Sequence, residues 1–348
     1  MELTLHREVV TLREPVRAAY EHHVRRTRLY LRLEHEGVVG FGEVAPQEFA
    51  LNGDPGVAEV IQELDGYVLT QLQAAYEREG ELPSWTRMAR FAGSRASSAP
   101  AVTIVEMALL DHELQRRGQS ISEFWPQRFE TPFQGTVSAL DDDPWRVSEA
   151  WARVRVKTTP GPLSSRAREQ LAALTLPVLV DFNCSAQSVD EVRRHLESVR
   201  EYATVVAVEQ PFAPGNLIDH ADLAARIDVA VSLDEGVRSQ RDLDQILRYE
   251  AASMICVKPA RVGGYANART LIERARTSGL KSYLGGFFES PFARHVNRVL
   301  SHHLVTEPSD IGVVASNIEE QTDQRAGGFD CQPSTRVLER SVLVASFA

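Results

Sequence analysis

The alternation of apolar and polar positions changes character along this chain, and the change predicts its architecture. In residues 26–37 (RTRLYLRLEHEG), Leu29, Leu31 and Leu33 alternate with polar neighbours, the period-2 pattern of a half-buried strand. Glu36 and Gly37 offer a turn and VVGFGEVAP runs back from it, so a hairpin is expected. Residues 55–92 then carry apolar positions at helical spacing, as in VAEVIQELDGYVLTQL. Strands followed by helices describe a small α+β unit. Residues 93–100 read as a loop or junction, and AVTIVEMALLDHELQRRG follows as a long amphipathic helix with Gly118 at its C′ position. From about residue 133 short apolar runs alternate with helical stretches such as SVDEVRRHLESVREY. Strands are predicted near 134–138, 153–158, 177–182, 205–210, 229–234, 253–258, 281–286 and 311–315. Units of about 25 residues fit the α/β class as a (β/α)₈ barrel. A doubly wound sheet is the alternative, but polar groups at the strand ends favour closure. The segment after about 320 is too short for another unit and is expected to return to the N-terminal domain.

The ends of five runs carry the chemistry. They are Lys157 in VRVKT, Asp181 in VLVDFN, Glu209 in VAVEQP, Asp234 in VSLDE and Lys258 in ICVKP. A barrel gathers the C-terminal ends of its strands around one mouth. Asp181, Glu209 and Asp234 are therefore candidate metal ligands, and hard oxygen donors suit Mg²⁺ or Mn²⁺ better than zinc. Lys157 and Lys258 are expected to face each other across the mouth, with pKa values drawn down by neighbouring cations, as proton-abstracting bases. Arg155 shares a barrel face with Lys157 by strand periodicity, and its permanent charge would assist that shift or order a carboxylate. Asn183 and Glu235 are expected to support the ligands, with Glu235 a partner for a lysine. Gly285, Gly286 and Glu289 end strand seven, where the glycines are expected to let the backbone approach a substrate. The glycine pair in VGGYANA opens a helix and is a candidate anion site. His302 and His303 are expected on a helix surface, and Ser290 lacks a nucleophile elbow.

Composition narrows the partners. A net charge of −10 without a basic stripe argues against nucleic acid and anionic membranes. Cys184, Cys256 and Cys331 lack CxxC spacing, which points to a reducing, cytoplasmic setting without a disulfide framework. No apolar run is long enough to span a membrane. The expected partner is a small-molecule carboxylate, and homo-oligomerisation stays open.

The pieces VRVKT, VDFN, VEQP, LDEGV, VKPARVGG and GGFFES, in this order, resemble the enolase superfamily and its muconate-lactonizing subgroup. GFGEVAP is similar to that superfamily's N-terminal capping domain. The resemblance implies a modified TIM (β/α) barrel, residues 96–320, under an α+β capping domain of residues 1–95 joined by 321–348. It also implies Mg²⁺ and an enolate intermediate. EMALLDHELQRRGQSI, GGFFESPFARHVNRVLSHH and SDIG are most similar to o-succinylbenzoate synthases and N-succinylamino acid racemases. The implied activity is a syn dehydration in menaquinone synthesis, with Lys157 as base and Lys258 as charge stabiliser. Capping loops near 15–25 and 47–55 would close over a succinyl arm. Racemisation of N-succinylamino acids, another cycloisomerisation or epimerisation, and a non-catalytic binding barrel stay as alternatives. Arg155 stands where the subgroup usually has the first lysine of KxK, and EFWPQRFETP stands where LGG is usual. Asp310-Ile311-Gly312 lacks the second acid of the epimerases' DxD.

Overall fold

The computed structural model describes residues 1–17, 22–90, 98–137, 140, 145, 147–311 and 322–347. The N-terminal sheet begins with β1 (Glu2–Arg17), β2 (His22–His35) and β3 (Val38–Val44), all antiparallel. Glu36 and Gly37 turn the β2–β3 hairpin with φ of 52° and 75°, the positive pair that a tight hairpin turn requires. Residues 57–79 are helical apart from one wider turn at Leu64–Val68. The helix Ala99–Arg117 lies directly against β3. A β-carbon on Gly40 would collide with the Ala108 carbonyl, and one on Gly42 with that of Ile104. These two glycines bring strand and helix backbones closer than any side chain would permit.

Seven parallel strands follow in sequential order: β4 (Phe133–Val137), β5 (Trp151–Lys157), β6 (Val178–Asp181), β7 (Val205–Glu209), β8 (Ala230–Leu233), β9 (Met254–Val257) and β10 (Lys281–Leu284). All lie at the expected positions. Of the eighth expected strand, residues 312–315 lie outside the described residues. Just before it, the Gln134 amide donates to the Ser309 carbonyl (3.1 Å), and the Asp310 amide to that of Leu284 (2.8 Å). Ser309 and Asp310 thus bridge the two edges of the sheet and close the barrel. Side-chain direction alternates as a barrel demands. Val178, Val180, Val208 and Val231 face the surrounding helices. Leu179, Ala207, Met254, Cys256 and Tyr283 fill the interior as a separate apolar floor.

The chain end forms β11 (Thr322–Gln324), β12 (Cys331–Pro333) and β13 (Val342–Phe347). β13 pairs with β1, so the C-terminus returns to the N-terminal sheet. Asp111, fully buried on the long helix, accepts amides from Phe41 (2.8 Å) and Phe329 (2.9 Å) and pairs with Arg325. Both expected domain boundaries, near 95 and 320, fall outside the described residues. Among the described residues no helix is long and apolar enough to cross a membrane.

Two expectations change. His303 is not on a surface: it is 4% exposed, and its Nδ1 lies 2.8 Å from the Pro126 carbonyl, while His302 reaches that of Phe129. The ring nitrogens satisfy carbonyls of the chain entering the barrel. The candidate anion site after VGG is already filled by the protein. Glu106 accepts the Ala266 amide (3.0 Å) at the start of helix Tyr265–Thr277, and a β-carbon on Gly264 (φ 111°) would lie 2.5 Å from its carboxylate.

Two predictions follow from this packing. Gly42→Ala should destabilise the fold by about 1–3 kcal/mol through overpacking, read as a lower urea midpoint. Burial pushes the Glu106 carboxyl up to about 8, so the folded state holds this proton more tightly than the unfolded chain. Its contribution is full below the unfolded value and is lost as pH rises through about 8. Urea midpoints of parent and Glu106→Gln should therefore diverge across this range, the parent falling relative to the variant; parallel profiles would refute the shift.

Candidate active site

Register places the predicted residues side by side. Lys157 on β5 is paired with Asp181 on β6, and Asp181 with Glu209 on β7. Asp234 directly follows β8, and Lys258 directly follows β9. The two lysines therefore flank three carboxylate-bearing strands. The Lys157 ammonium is 4.0 Å from Asp181 Oδ2, and that of Lys258 donates to Asp234 Oδ2 at 2.8 Å.

Arg155 is the hub on the β5 side. It donates to Glu209 Oε1 (3.0 Å) and Thr136 Oγ1 (3.2 Å), pairs with Asp310, and lies 4.0 Å from Asp181 Oδ2. Its opposite number is Arg261, which pairs with Asp234 and grips Asp54 through Nε (3.0 Å) and Nη2 (2.7 Å). Arg238 also donates to Asp54 (2.9 Å) and to the Gly53 carbonyl (2.9 Å). The segment 47–55, expected to close over the site, is thereby fastened beside Asp234; of the other expected loop, residues 18–21 lie outside the described residues.

The electrostatics follow from burial. Burial opposes ionisation of Asp234, but Arg261 and Lys258 outweigh it and hold its carboxyl well below the usual range. On the other side burial prevails. It raises Asp181 against Lys157 and Arg155, and raises Glu209 to about 7 despite Arg155. Burial and then Asp234 raise Glu235. Lys258 departs from the expected lowering: burial acts downward, but Asp234 draws its pKa above the ordinary lysine value. Glu235 departs as well. It accepts from Asn183 Nδ2 (3.3 Å) rather than pairing with a lysine, because Asp234 holds Lys258.

The donor set fits a hard divalent cation. Oδ2 of Asp181 and Oε2 of Glu235 are buried without hydrogen-bond partners, and three carboxyls have raised pKa values. Uncompensated negative charge of this kind is what a cation relieves. Ligand atoms of Glu209, Asp234 and Cys256 lie within 4.8 Å of one another. Cys256 is the unexpected member, and burial raises its thiol pKa well above the ordinary value, so the oxygens are the stronger donors.

Asn183 adopts φ 42° and donates its amide to Asp181 Oδ1 (2.9 Å), which orients that carboxylate. Gly285 and Gly286 answer to packing inside the protein: a β-carbon would lie 2.7 Å from Cys256 Sγ or 2.5 Å from Glu289 Oε2. Glu289 is buried and caps its own turn by accepting the Phe287 amide (2.8 Å). Ser290 caps the helix Pro291–Leu304 and donates to Glu43. Asp54, Gln210, Arg261 and Tyr283 went unnoticed in the sequence. Gln210 Oε1 accepts the amides of Asp234 (2.9 Å) and Gly236 (3.0 Å), and the Tyr283 hydroxyl donates to Glu209 Oε2 (2.5 Å). Arg261 lies three residues after Lys258 and could have been found by one-turn spacing; the others carry no local signal.

Tyr283→Phe removes one hydrogen bond from Glu209 without changing the floor's shape. Mn²⁺ affinity, measured by titration calorimetry, is expected to fall about tenfold or more; unchanged affinity would show that Tyr283 does not orient a ligand.

A protein family described as "Enolase C-terminal domain-like" matches residues 145–325. The o-succinylbenzoate synthase of Bacillus subtilis is 25% identical over 323 residues, covering 89% of this chain and 84% of that protein. The N-succinylamino acid racemase of Amycolatopsis sp is 28% identical over 226 residues, covering 62% and 59%. Among solved structures, a muconate lactonizing enzyme from Pseudomonas fluorescens superposes with a TM-score of 0.82 at 17% identity, over 97% of each chain. The seven-strand register, the barrel closure and the family match agree: the chain belongs to the enolase superfamily.

Proposed function

We propose that this protein is a metal-dependent enzyme that removes the α-proton of a small carboxylate, and specifically an o-succinylbenzoate synthase acting in menaquinone synthesis. The observation that carries the reading is the flanking of Asp181, Glu209 and Asp234 by two amines, Lys157 beside Asp181 and Lys258 on Asp234. Mg²⁺ or Mn²⁺ held by the three carboxylates would supply positive charge against the substrate carboxylate as negative charge develops there. Lys157 takes the α-proton as the C–H bond breaks, then delivers a proton to the departing hydroxyl, which leaves as water. Lys258 stays protonated and stabilises the developing charge. Arg155 and Tyr283 hold Glu209 from its two oxygens, and Arg261 holds Asp234, so little reorganisation accompanies the step. The segment 47–55, fastened beside Asp234 through Arg238 and Arg261, would help exclude water on that side.

Racemisation of N-succinylamino acids is the second reading. Its support is that Lys258 reaches the carboxylate cluster as Lys157 does, so both flanks carry an amine, and that relatives bearing this name match the chain.

EDTA should abolish turnover and Mg²⁺ or Mn²⁺ should restore it, and Asp234→Asn should weaken both metal binding and turnover. Full activity of metal-free protein would overturn the metal reading. The deciding assay offers the cyclohexadiene hydroxy-acid precursor for dehydration and N-succinylamino acids for α-deuterium exchange. Dehydration is expected, and Lys157→Ala should lose about 10²–10⁴-fold or more. Absent dehydration with rapid exchange would establish the racemase, in which each lysine serves one enantiomer.

A further inference from the structure

The turn after β10 wraps around Lys258. A β-carbon on Gly285 would lie 2.9 Å from Lys258 Cε, so the turn's backbone touches the lysine stem. The next large side chain, Phe287, lays its ring over the Lys258 ammonium at 4.8 Å and over the Arg261 guanidinium at 5.0 Å. The ring is 7% exposed, so the contact is largely desolvated, where a cation over an aromatic face is held most firmly.

The turn does not hold this position by itself. Phe288 sits at φ 65°, a left-handed conformation that a phenylalanine does not adopt without support. The support comes from buried charged residues of the N-terminal sheet. Arg26 donates to the Phe287 carbonyl (3.0 Å), and Arg28 to that of Phe288 through Nη2 (3.1 Å). Arg26 also stacks on the Phe288 ring at 4.9 Å, and Glu43 accepts the Ser290 amide at 2.6 Å. Contacts from the sheet at Phe287, Phe288 and Ser290 thus fix the turn whose ring covers the lysine.

We propose that Phe287 is a positioning residue for Lys258, set in place by Arg26 and Arg28. Its ring restricts the ammonium to the arc between Asp234 and the substrate space, so the N-terminal sheet controls the geometry of this amine. Phe287 takes no proton and forms no bond to substrate. The inference rests on the proposed roles of Lys157 and Lys258.

The test uses the metal-loaded, full-length protein with Phe287→Leu, which keeps apolar bulk and loses the π-face, and Phe287→Tyr, which keeps it. For dehydration, Phe287→Leu is expected to lower kcat on the order of tenfold with KM little changed, and Phe287→Tyr to stay near the parent. The loss should vanish when Phe287→Leu is made in a Lys258→Ala background, because the partner is already gone. For racemisation, Phe287→Leu should slow deuterium exchange of the enantiomer lost in Lys258→Ala and spare the one lost in Lys157→Ala. An equal loss with and without Lys258, or equal slowing of both enantiomers, would reduce Phe287 to a structural role and overturn the proposal. So would an unchanged kcat. A parent that turns over neither substrate would overturn the functional reading itself, and the role of Phe287 with it.

Discussion

The burial of many charges in one closed space governs this structure. Asp181, Glu209, Asp234 and Glu235 are each 5% exposed or less, and Arg155, Arg261 and Lys258 are buried among them. Charges removed from water persist only when paired, and removal of one partner strands the other. Arg155 and Arg261 are suited to this because a guanidinium stays charged and offers several donors in fixed directions. Arg155 spans carboxylates on β6, on β7 and on the segment at Asp310 that closes the barrel, and Arg261 ties Asp234 to Asp54. Neutralisation is complete at Asp234 and incomplete at Asp181, Glu209 and Glu235, whose carboxyl pKa values are raised. The asymmetry makes the Asp181–Glu209 side the part of the cluster with most to gain from a cation.

The same constraint joins the N-terminal sheet to the barrel. The contribution of the sheet and the segment after it at the mouth is mainly charged: Arg26, Arg28 and Glu43 of the sheet, and Asp54 beyond it, reach barrel turns at Phe287, Phe288, Ser290 and Arg261. Behind them Gly40 and Gly42 admit the long helix, and Glu106 on that helix caps the helix Tyr265–Thr277. The segments around Lys258 are thus held from the mouth and from behind by residues more than a hundred positions away in the chain. That bracing is the physical basis for a rigid site on loop-bearing strand ends.

Much of this was legible before any coordinates. Short apolar runs ending in Lys157, Asp181, Glu209, Asp234 and Lys258 determined the strand positions and the order in which these side chains meet, because a barrel converts strand order into spatial order. Arg155 was readable as an inward residue from its spacing to Lys157. Tyr283 was not, since an apolar floor position and a hydroxyl aimed at Glu209 look identical in the run KSYLGG. His303 misled because ring nitrogens that satisfy the Pro126 carbonyl leave no pattern in sequence.

The sequence by itself determined the order of elements and the residue types at the strand ends, both of which depend on local periodicity and composition. Only the tertiary structure decided which charges pair. Asp234 rather than Glu235 holds Lys258, Glu106 rather than an external anion fills the helix start, and Arg26 and Arg28 grip the turn beside the lysine. Pair energies depend on distances of a few ångströms and on exclusion of water, and neither quantity exists until distant segments meet.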